Sequence, residues 1–176
     1  DAQFQPFAGI YKTYMIPNNH ADPDLRLSHL ATAVKLVYAS AYYKKARAFV
    51  RSTTPLPFKD SMAVLIQEVA GSRHNDFFYP AISGTAHSLN FYPGANARVD
   101  EGVLNLALGL GHTLAQGEKS FRVFPKHPQA TPQFSGPRDF LENTQNSFYA
   151  LRMRDYPETL CFGICSNLER RDLSQA

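Results

Sequence analysis

The spacing of the hydrophobic residues changes at Asp24, and this change limits what the chain can fold into. Over residues 24–52 the apolar side chains recur at steps of three and four, which is the spacing of one face of a helix. The sequence therefore predicts one long helix, or two helices broken near Ser40. Asp22 or Asp24 is expected to cap the first turn, and Pro23 favours the same start.

The stretches around that region have the pattern of short strands. Residues 7–19 come close to alternating, and residues 61–71 form a continuous apolar run until Gln67 and Glu68. Residues 77–94 alternate around a Ser-Gly-Thr-Ala centre. We predict a strand in each of the three stretches, and we expect the one in 61–71 to be buried.

The second half of the chain mixes both patterns. In residues 99–117 we expect a short helix to Ala107, a glycine break, and a second short helix from His112. We predict a helix in 137–145 and strands in 120–125, 146–154 and 159–167. Because helices and strands do not alternate strictly, the order favours an α+β fold over a doubly wound sheet.

The length predicts one domain. A chain of 176 residues can build one hydrophobic core but is short for two, so we expect residues 1–176 to form a single unit. The chain starts at Asp1 without Met, and we expect it to be a piece of a longer protein.

Composition narrows the class of partner and the compartment. The net charge of +3 is spread along the chain, which suits a small anionic ligand or none and does not favour nucleic acid. No apolar run approaches the roughly 18 residues of a membrane span, and the start lacks a leader pattern. We therefore expect a cytoplasmic protein without a membrane partner. Cys161 and Cys165 are expected to be buried thiols in a reducing compartment.

The glycine-rich stretch GLGHTLAQG, residues 109–117, is the first candidate for a binding site. Its backbone N–H groups could face phosphate oxygens, or the glycines could simply flank a short helix. The dinucleotide fingerprint is not met, because its third glycine would fall at Leu114, and the phosphate-loop pattern is absent.

Two further sets of residues are candidates: Gln67, Glu68 and Val69, and Ser83, Gly84 and Thr85. The first set could form a polar edge beside an adenine, or could mark a strand emerging into solvent. The second set could admit a phosphate close to the backbone, or could form a β-bulge.

Metal and hydrolase chemistry are not indicated. The six histidines are scattered without a ligand spacing such as H-E-x-x-H, so no metal site is predicted. The sequence lacks the G-x-S-x-G motif that marks a nucleophilic serine in hydrolases.

Five blocks in one order carry a resemblance to a known family. They are FAGIYKTYM (7–15), VYASAYYKKARAF (37–49), MAVLIQEVAGS (62–72), ISGTAHS (82–88) and GLGHTLAQG (109–117). Together they resemble the ATP-binding region of the phosphoenolpyruvate synthase and pyruvate phosphate dikinase family, which has an ATP-grasp fold. Related dikinases acting on glucans share the last two blocks.

The resemblance implies a fold and a ligand. It implies a partial ATP-grasp domain, with a mixed, mainly antiparallel sheet and flanking helices, that binds ATP. It places Ala8 and Gly9 in a loop over the phosphates, and Gln67, Glu68 and Val69 by the adenine. It also places Ser83, Gly84 and Thr85 on the facing strand, and it gives Gly109, Gly111 and His112 to a turn near the triphosphate.

The chain departs from the family pattern at two positions. His112 stands where family members often carry an acidic residue after GLG, and Lys12 stands where an acidic residue is expected before Thr13. An acidic side chain after GLG could help to hold Mg²⁺, whereas neutral imidazole is a poor ligand for this hard ion.

Other parts of the family's machinery have no counterpart in the sequence. They are the N-terminal lobe with its Lys and Arg, a later acidic strand with a Gln-x-Arg segment, the phospho-histidine domain and the pyruvate barrel. The resemblance implies an ATP-dependent, pyruvate, water dikinase-like phosphotransferase that uses Mg²⁺, of which this piece has no catalytic residue and is itself inactive. The alternatives are a binding or structural module with a decayed nucleotide site, or a glucan dikinase-type phosphotransferase.

Overall fold

A computed structural model describes residues 9–53, 62–94, 97–130, 134–153 and 167–175. The chain divides into two compact units, Asp1–Val69 with Met153–Asn167 and Ala70–Arg152 with Leu168–Ala176. The expectation that residues 1–176 form a single unit stays a prediction.

The first unit contains the helices predicted from the three- and four-residue spacing. Helix α1 spans Pro23–Ser40 and helix α2 spans Lys44–Thr53, so the predicted break near Ser40 is confirmed. The Asp22 carboxylate accepts a hydrogen bond from the Asp24 N–H at 2.9 Å, and Pro23 occupies the first turn. Both predicted start signals are therefore in place.

The strand predicted in 7–19 is wrong for its described part. Residues 9–22 are irregular, and the hydrogen bonds of Lys12 and Asn19 involve side chains instead of a strand partner. The Lys12 N–H donates to the Ser40 hydroxyl at 3.0 Å, and the Asn19 side chain donates to the Met153 carbonyl at 3.0 Å. Asn18 has a φ of 48°, which ends any extended run.

The buried strand predicted in 61–71 is also wrong for the described residues. Residues 62–70 form no strand, and Leu65 and Ile66 are 80% and 61% exposed. An apolar run becomes a strand only when a neighbour accepts its backbone hydrogen bonds. No strand of the described chain pairs with this segment.

The described residues of the second unit form two antiparallel sheets and two short helices. The four-stranded sheet has the order β1 (Ser72–His74), β2 (Phe77–Tyr79), β6 (Ser147–Arg152), β7 (Leu168–Asp172). The three-stranded sheet has the order β3 (Ser83–His87), β4 (Val103–Ala107), β5 (Phe121–Val123). Helix α3 spans His112–Ala115 and helix α4 spans Pro137–Asn143. The α+β class and the mainly antiparallel pairing are thus confirmed, as are the predicted elements that became α3, α4, β5 and β6.

Two elements of this unit correct the sequence-based expectations. The stretch 77–94 contains two strands, not one, because Pro80 has no N–H to continue a ladder and separates β2 from β3, which lie in different sheets. The helix expected up to Ala107 is a strand: a 3₁₀ turn ends at Gly102 with φ 75°, and β4 follows, paired on both sides. Pairing on both edges outweighs the local helical preference of a short apolar run.

The hydrophobic core of the second unit lies beneath β6. Phe148, Ala150 and Leu151 of this strand are buried, together with Tyr79 of β2 and Leu110 of the glycine-rich turn. Strand β7 was not predicted, because its sequence LERRD carries four charges in five residues and reads as loop. The strand predicted in 159–167, with Cys161 and Cys165, lies outside the described residues except for Asn167.

Candidate functional site

The glycine-rich turn follows β4 and is shaped by Gly109. This residue is buried, with a φ of +83°, and a Cβ atom at this position would lie 2.7 Å from the Tyr149 carbonyl oxygen and 2.9 Å from Cβ of Phe148. A positive φ and the lack of space both require glycine. Gly109 thus sets the path of the turn.

Four hydrogen bonds hold the backbone of this turn in place. The Leu108 N–H donates to Oε1 of Gln145 at 2.9 Å, and Nε2 of Gln145 donates back to the Leu108 carbonyl at 3.0 Å. The Gly109 N–H donates to the Pro80 carbonyl at 3.2 Å, and the Leu110 N–H donates to the Tyr149 carbonyl at 2.8 Å. The N–H groups of residues 108–110 are therefore all used inside the protein.

Gly111 differs from Gly109 in its exposure, its φ and the space around its Cα atom. It is exposed, its φ is −58°, and a Cβ atom added there would meet nothing within 4 Å. Its conformation is open to any residue, so the fold does not demand glycine here. An exposed glycine at the outer side of a fixed turn allows a ligand to approach the backbone closely.

His112 begins helix α3 and packs against strand β6. Its ring meets the Tyr149 ring edge-on, with the ring centroids 4.6 Å apart and the planes at 75°. The Tyr149 hydroxyl donates to Glu118 at 2.8 Å, and Arg170 lies 3.5 Å from the same carboxylate. Burial, followed by the hydrogen bond to Glu118 and its charge, raises the pKa of Tyr149.

Ser83, Gly84 and Thr85 lie in β3 and pair in an unbroken register with Ala107, Leu106 and Asn105. The β-bulge considered for these residues is therefore wrong. A Cβ atom at Gly84 would lie 2.7 Å from the Leu106 side chain, so this glycine permits the close pairing of the strands. Ser83 therefore lies opposite Ala107, the residue that directly precedes the turn.

The remaining predicted residues belong to the first unit. Gly9 is exposed with a φ of +74°, and its carbonyl accepts a hydrogen bond from Lys45 at 3.4 Å. Gln67 and Glu68 are exposed and Val69 is half-buried. Ala8 lies outside the described residues. A common site shared by these residues and those of the second unit stays a prediction.

Gln145 is a positioning residue that the sequence did not reveal. It lies between α4 and β6, far from the glycine-rich turn in sequence, and its side chain also donates to the Ser147 carbonyl at 2.9 Å. A single Gln in a polar loop gives no pattern that would single it out.

The described residues offer no cluster for a metal ion. No group of three or more His, Cys, Asp or Glu side chains in this part of the chain could hold one. Lys12 is exposed. In the same part of the chain, no helix has the length and apolar character needed to cross a bilayer.

The fold and the turn together define an α+β domain in which a conformationally fixed glycine turn lies beside an antiparallel strand. Residues 1–139 match the model of the family described as pyruvate phosphate dikinase, AMP/ATP-binding domain, and the chain belongs to this family. Membership makes ATP or AMP the ligand of the domain. Searches of curated proteins and of solved structures found no match.

Proposed function

We propose that the chain is the ATP-binding part of a phosphoenolpyruvate synthase-like phosphotransferase. In the proposed reaction ATP gives a phosphoryl group to a carrier His on another domain, and the carrier passes it to pyruvate. The observation that carries the proposal is the family match, which contains both β3 and the glycine-rich turn.

The turn and β3 are proposed to contact the phosphates. Gly111 is exposed beside a backbone that is already fixed by internal hydrogen bonds, so it can present its own N–H to an oxyanion without reorganisation. Preorganised backbone donors of this kind bind developing or fixed negative charge efficiently. Ser83 and Thr85 are proposed to approach the nucleotide from the paired strand.

The adenine is proposed to lie against the segment 67–69. Gln67 and Glu68 are exposed, so their amide and carboxylate groups are accessible to a base. Ala8 and Gly9 are proposed to cover the phosphates as a loop.

Turnover is proposed to need parts that this chain does not supply. Phosphoryl transfer depends on positioning and on cations that neutralise the phosphates, and the family's Lys, Arg, carrier His and pyruvate barrel have no counterpart in the sequence. Among the described residues no group of three or more His, Cys, Asp or Glu side chains could hold a metal ion. Mg²⁺ is usually bound through one or two carboxylates together with the phosphates, and no step assigned to this chain uses it. We expect the piece alone to be inactive, and the whole protein to work in the cytoplasm.

A second candidate is a module that has kept the fold and lost the chemistry. It is favoured by His112, which packs its ring on Tyr149 at a position where the resemblance predicts an acidic group. A glucan dikinase-type phosphotransferase is the third.

One experiment separates the three. The longer protein that contains the chain is incubated with ATP and either pyruvate or a glucan, and ATP binding, ATP consumption and acid-labile phosphohistidine are measured. Consumption that depends on pyruvate, with phosphohistidine formed, supports the proposal. ATP consumption that depends on glucan would support the glucan dikinase-type phosphotransferase instead. ATP binding without either reaction replaces the proposal with the module.

A further inference from the structure

The second unit contains a cavity that none of the predicted nucleotide residues lines. It has a volume of about 440 Å³ and lies at the hairpin of β1 and β2, which turns through Asn75 and Asp76 with Asn75 at a φ of 53°. The volume falls in the range of about 300–1,000 Å³ that is usual for small-molecule sites. The cavity can therefore accept a small ligand.

Aromatic rings form one wall of this hairpin cavity. The His74 ring stacks on the Tyr79 ring with centroids 4.2 Å apart and planes at 23°. Tyr79 in turn packs on Phe148, at 4.9 Å between ring centroids, and both residues are buried, at 6% and 0% exposure. Tyr79 and Phe148 therefore anchor this wall in the hydrophobic core.

Arg171 of β7 contributes a cation to the cavity. Its Cζ lies 3.8 Å from the centroid of the Phe77 ring, so the guanidinium is held by a cation–π contact. Its neighbours pair with carboxylates: Arg152 lies 3.0 Å from Glu169, and Arg170 lies 3.5 Å from Glu118. Arg171 has no such ion pair with a described residue.

Arg73 contributes a second cation from β1. Its Nε donates to the Asn75 carbonyl at 2.9 Å, which orients the guanidinium over the hairpin turn. It too has no ion pair with a residue in the described part of the chain. Asp76 also lines the cavity, so two guanidinium groups stand against one carboxylate.

We propose that the hairpin cavity is a binding site for a small oxyanion, a phosphate or a carboxylate group, held by Arg73 and Arg171. Guanidinium groups present planar sets of N–H donors that match both of these groups, and charge-assisted hydrogen bonds of this kind are strong. The site does not depend on the proposed function, because it shares no residue with the predicted nucleotide set.

The test uses the 176-residue chain and two probes, inorganic phosphate and acetate, each titrated at constant ionic strength. Backbone amide signals of residues 72–79 are followed by NMR. A saturable shift with either probe supports the site, and the stronger probe identifies the source of the oxyanion. No saturable shift in this hairpin with either probe overturns the proposal.

Variants assign the binding to the two cations. Arg171→Gln and Arg73→Gln are each expected to lower the affinity roughly ten-fold, which corresponds to about 1.4 kcal/mol. Arg138→Gln is the matched control: it removes an exposed arginine of α4 that lies outside the cavity, and the affinity should not change. Equal affinities for the wild type and both cavity variants would overturn the assignment. Arg73 is exposed, so its variant decides the question even if Arg171→Gln does not fold.

Discussion

The carbonyl oxygen of Tyr149 lies 2.7 Å from the position that a Cβ atom would take on Gly109. The same carbonyl accepts the Leu110 N–H at 2.8 Å. One backbone oxygen of strand β6 therefore both leaves no space for a side chain on Gly109 and accepts the N–H of the next residue. These contacts tie the turn to the strand that carries the buried residues Phe148, Ala150 and Leu151.

Gly109→Ala should destabilise the protein, and Gly111→Ala should not. Alanine at position 109 must adopt a φ of +83° and must displace the Tyr149 carbonyl, so we expect a loss of at least about 2 kcal/mol in the free energy of unfolding. Position 111 has open space and a φ of −58°, so the change should stay within about 0.5 kcal/mol. Urea denaturation measures both.

The same pair of variants also tests the nucleotide proposal. If the phosphates of ATP approach the backbone at Gly111, a methyl group there should weaken ATP binding although the fold is intact. The ATP affinity is measured by calorimetry on the longer protein. Unchanged affinity for Gly111→Ala would place the phosphates away from this turn.

Gln145→Ala should destabilise the protein, because it removes the hydrogen bonds that hold Leu108 at the start of the turn. The Gln145 side chain satisfies both the N–H and the carbonyl of Leu108, and its loss leaves these half-buried groups without their partner. We expect a cost of about 2 kcal/mol in the free energy of unfolding. The control is Asn146→Ala, an exposed neighbour, which should unfold like the wild type. Faster hydrogen exchange at Leu108 and Leu110 is expected only in the Gln145 variant.

The helices could be predicted from the sequence because their signals are local. The three- and four-residue spacing, Asp22 and Pro23 define α1 without reference to the rest of the chain. Strands depend on partners that the sequence does not reveal. The apolar run around Leu65 finds no neighbour among the described strands, whereas the charged β7 is a strand because β6 pairs with it.

The candidate site shows the same contrast between local signals and contacts that are distant in sequence. The glycine-rich stretch 109–117 is visible in the sequence itself, and the resemblance indicates a use for it that stays a prediction. Gln145 could not be found, because its role depends on a contact with Leu108 across 37 residues of sequence. The cavity at the β1–β2 hairpin was missed for the same reason, since Arg171 reaches it from the far end of the chain.

Tyr149→Phe should change how stability depends on alkaline pH. Burial and then Glu118 raise the pKa of Tyr149, so its contribution to stability is complete below the pKa of the unfolded chain and is lost as pH rises through the folded value. We expect the variant to be about 1 kcal/mol less stable near neutral pH, because it lacks the hydrogen bond. The difference from the wild type should shrink above about pH 10.

The measurement is urea denaturation of both proteins from neutral to alkaline pH. Tyr14 also has a raised pKa, through burial and then Tyr43, so the wild type alone does not isolate the effect. The difference in the free energy of unfolding between wild type and variant isolates the effect of Tyr149. A difference that stays constant through the alkaline range would show that the Tyr149 pKa does not shift on folding.

The 176-residue chain alone should bind ATP weakly or not detectably. It offers the turn, β3 and the segment 67–69, and we expect the Lys and Arg that the resemblance assigns to the phosphates to come from other parts of the longer protein. Cationic partners supply much of the affinity for a triphosphate. Calorimetry with ATP checks this, with AMP as the companion titration. A submicromolar dissociation constant for ATP would contradict the prediction and would mean that the chain holds a complete site.

Glu68→Ala should weaken ATP binding without a change in stability. Glu68 is exposed, and an exposed carboxylate contributes little to folding, within about 0.5 kcal/mol. If it borders the adenine, its removal takes away a polar contact that only the nucleotide uses. Glu142→Ala is the control, because Glu142 is an exposed acid of α4 outside the predicted site. Calorimetry and thermal melting on the longer protein should show lower affinity for the Glu68 variant alone, with equal melting temperatures. Equal ATP affinities in the two variants would remove the segment 67–69 from the adenine site, while the assignment of the turn to the phosphates would still depend on Gly111.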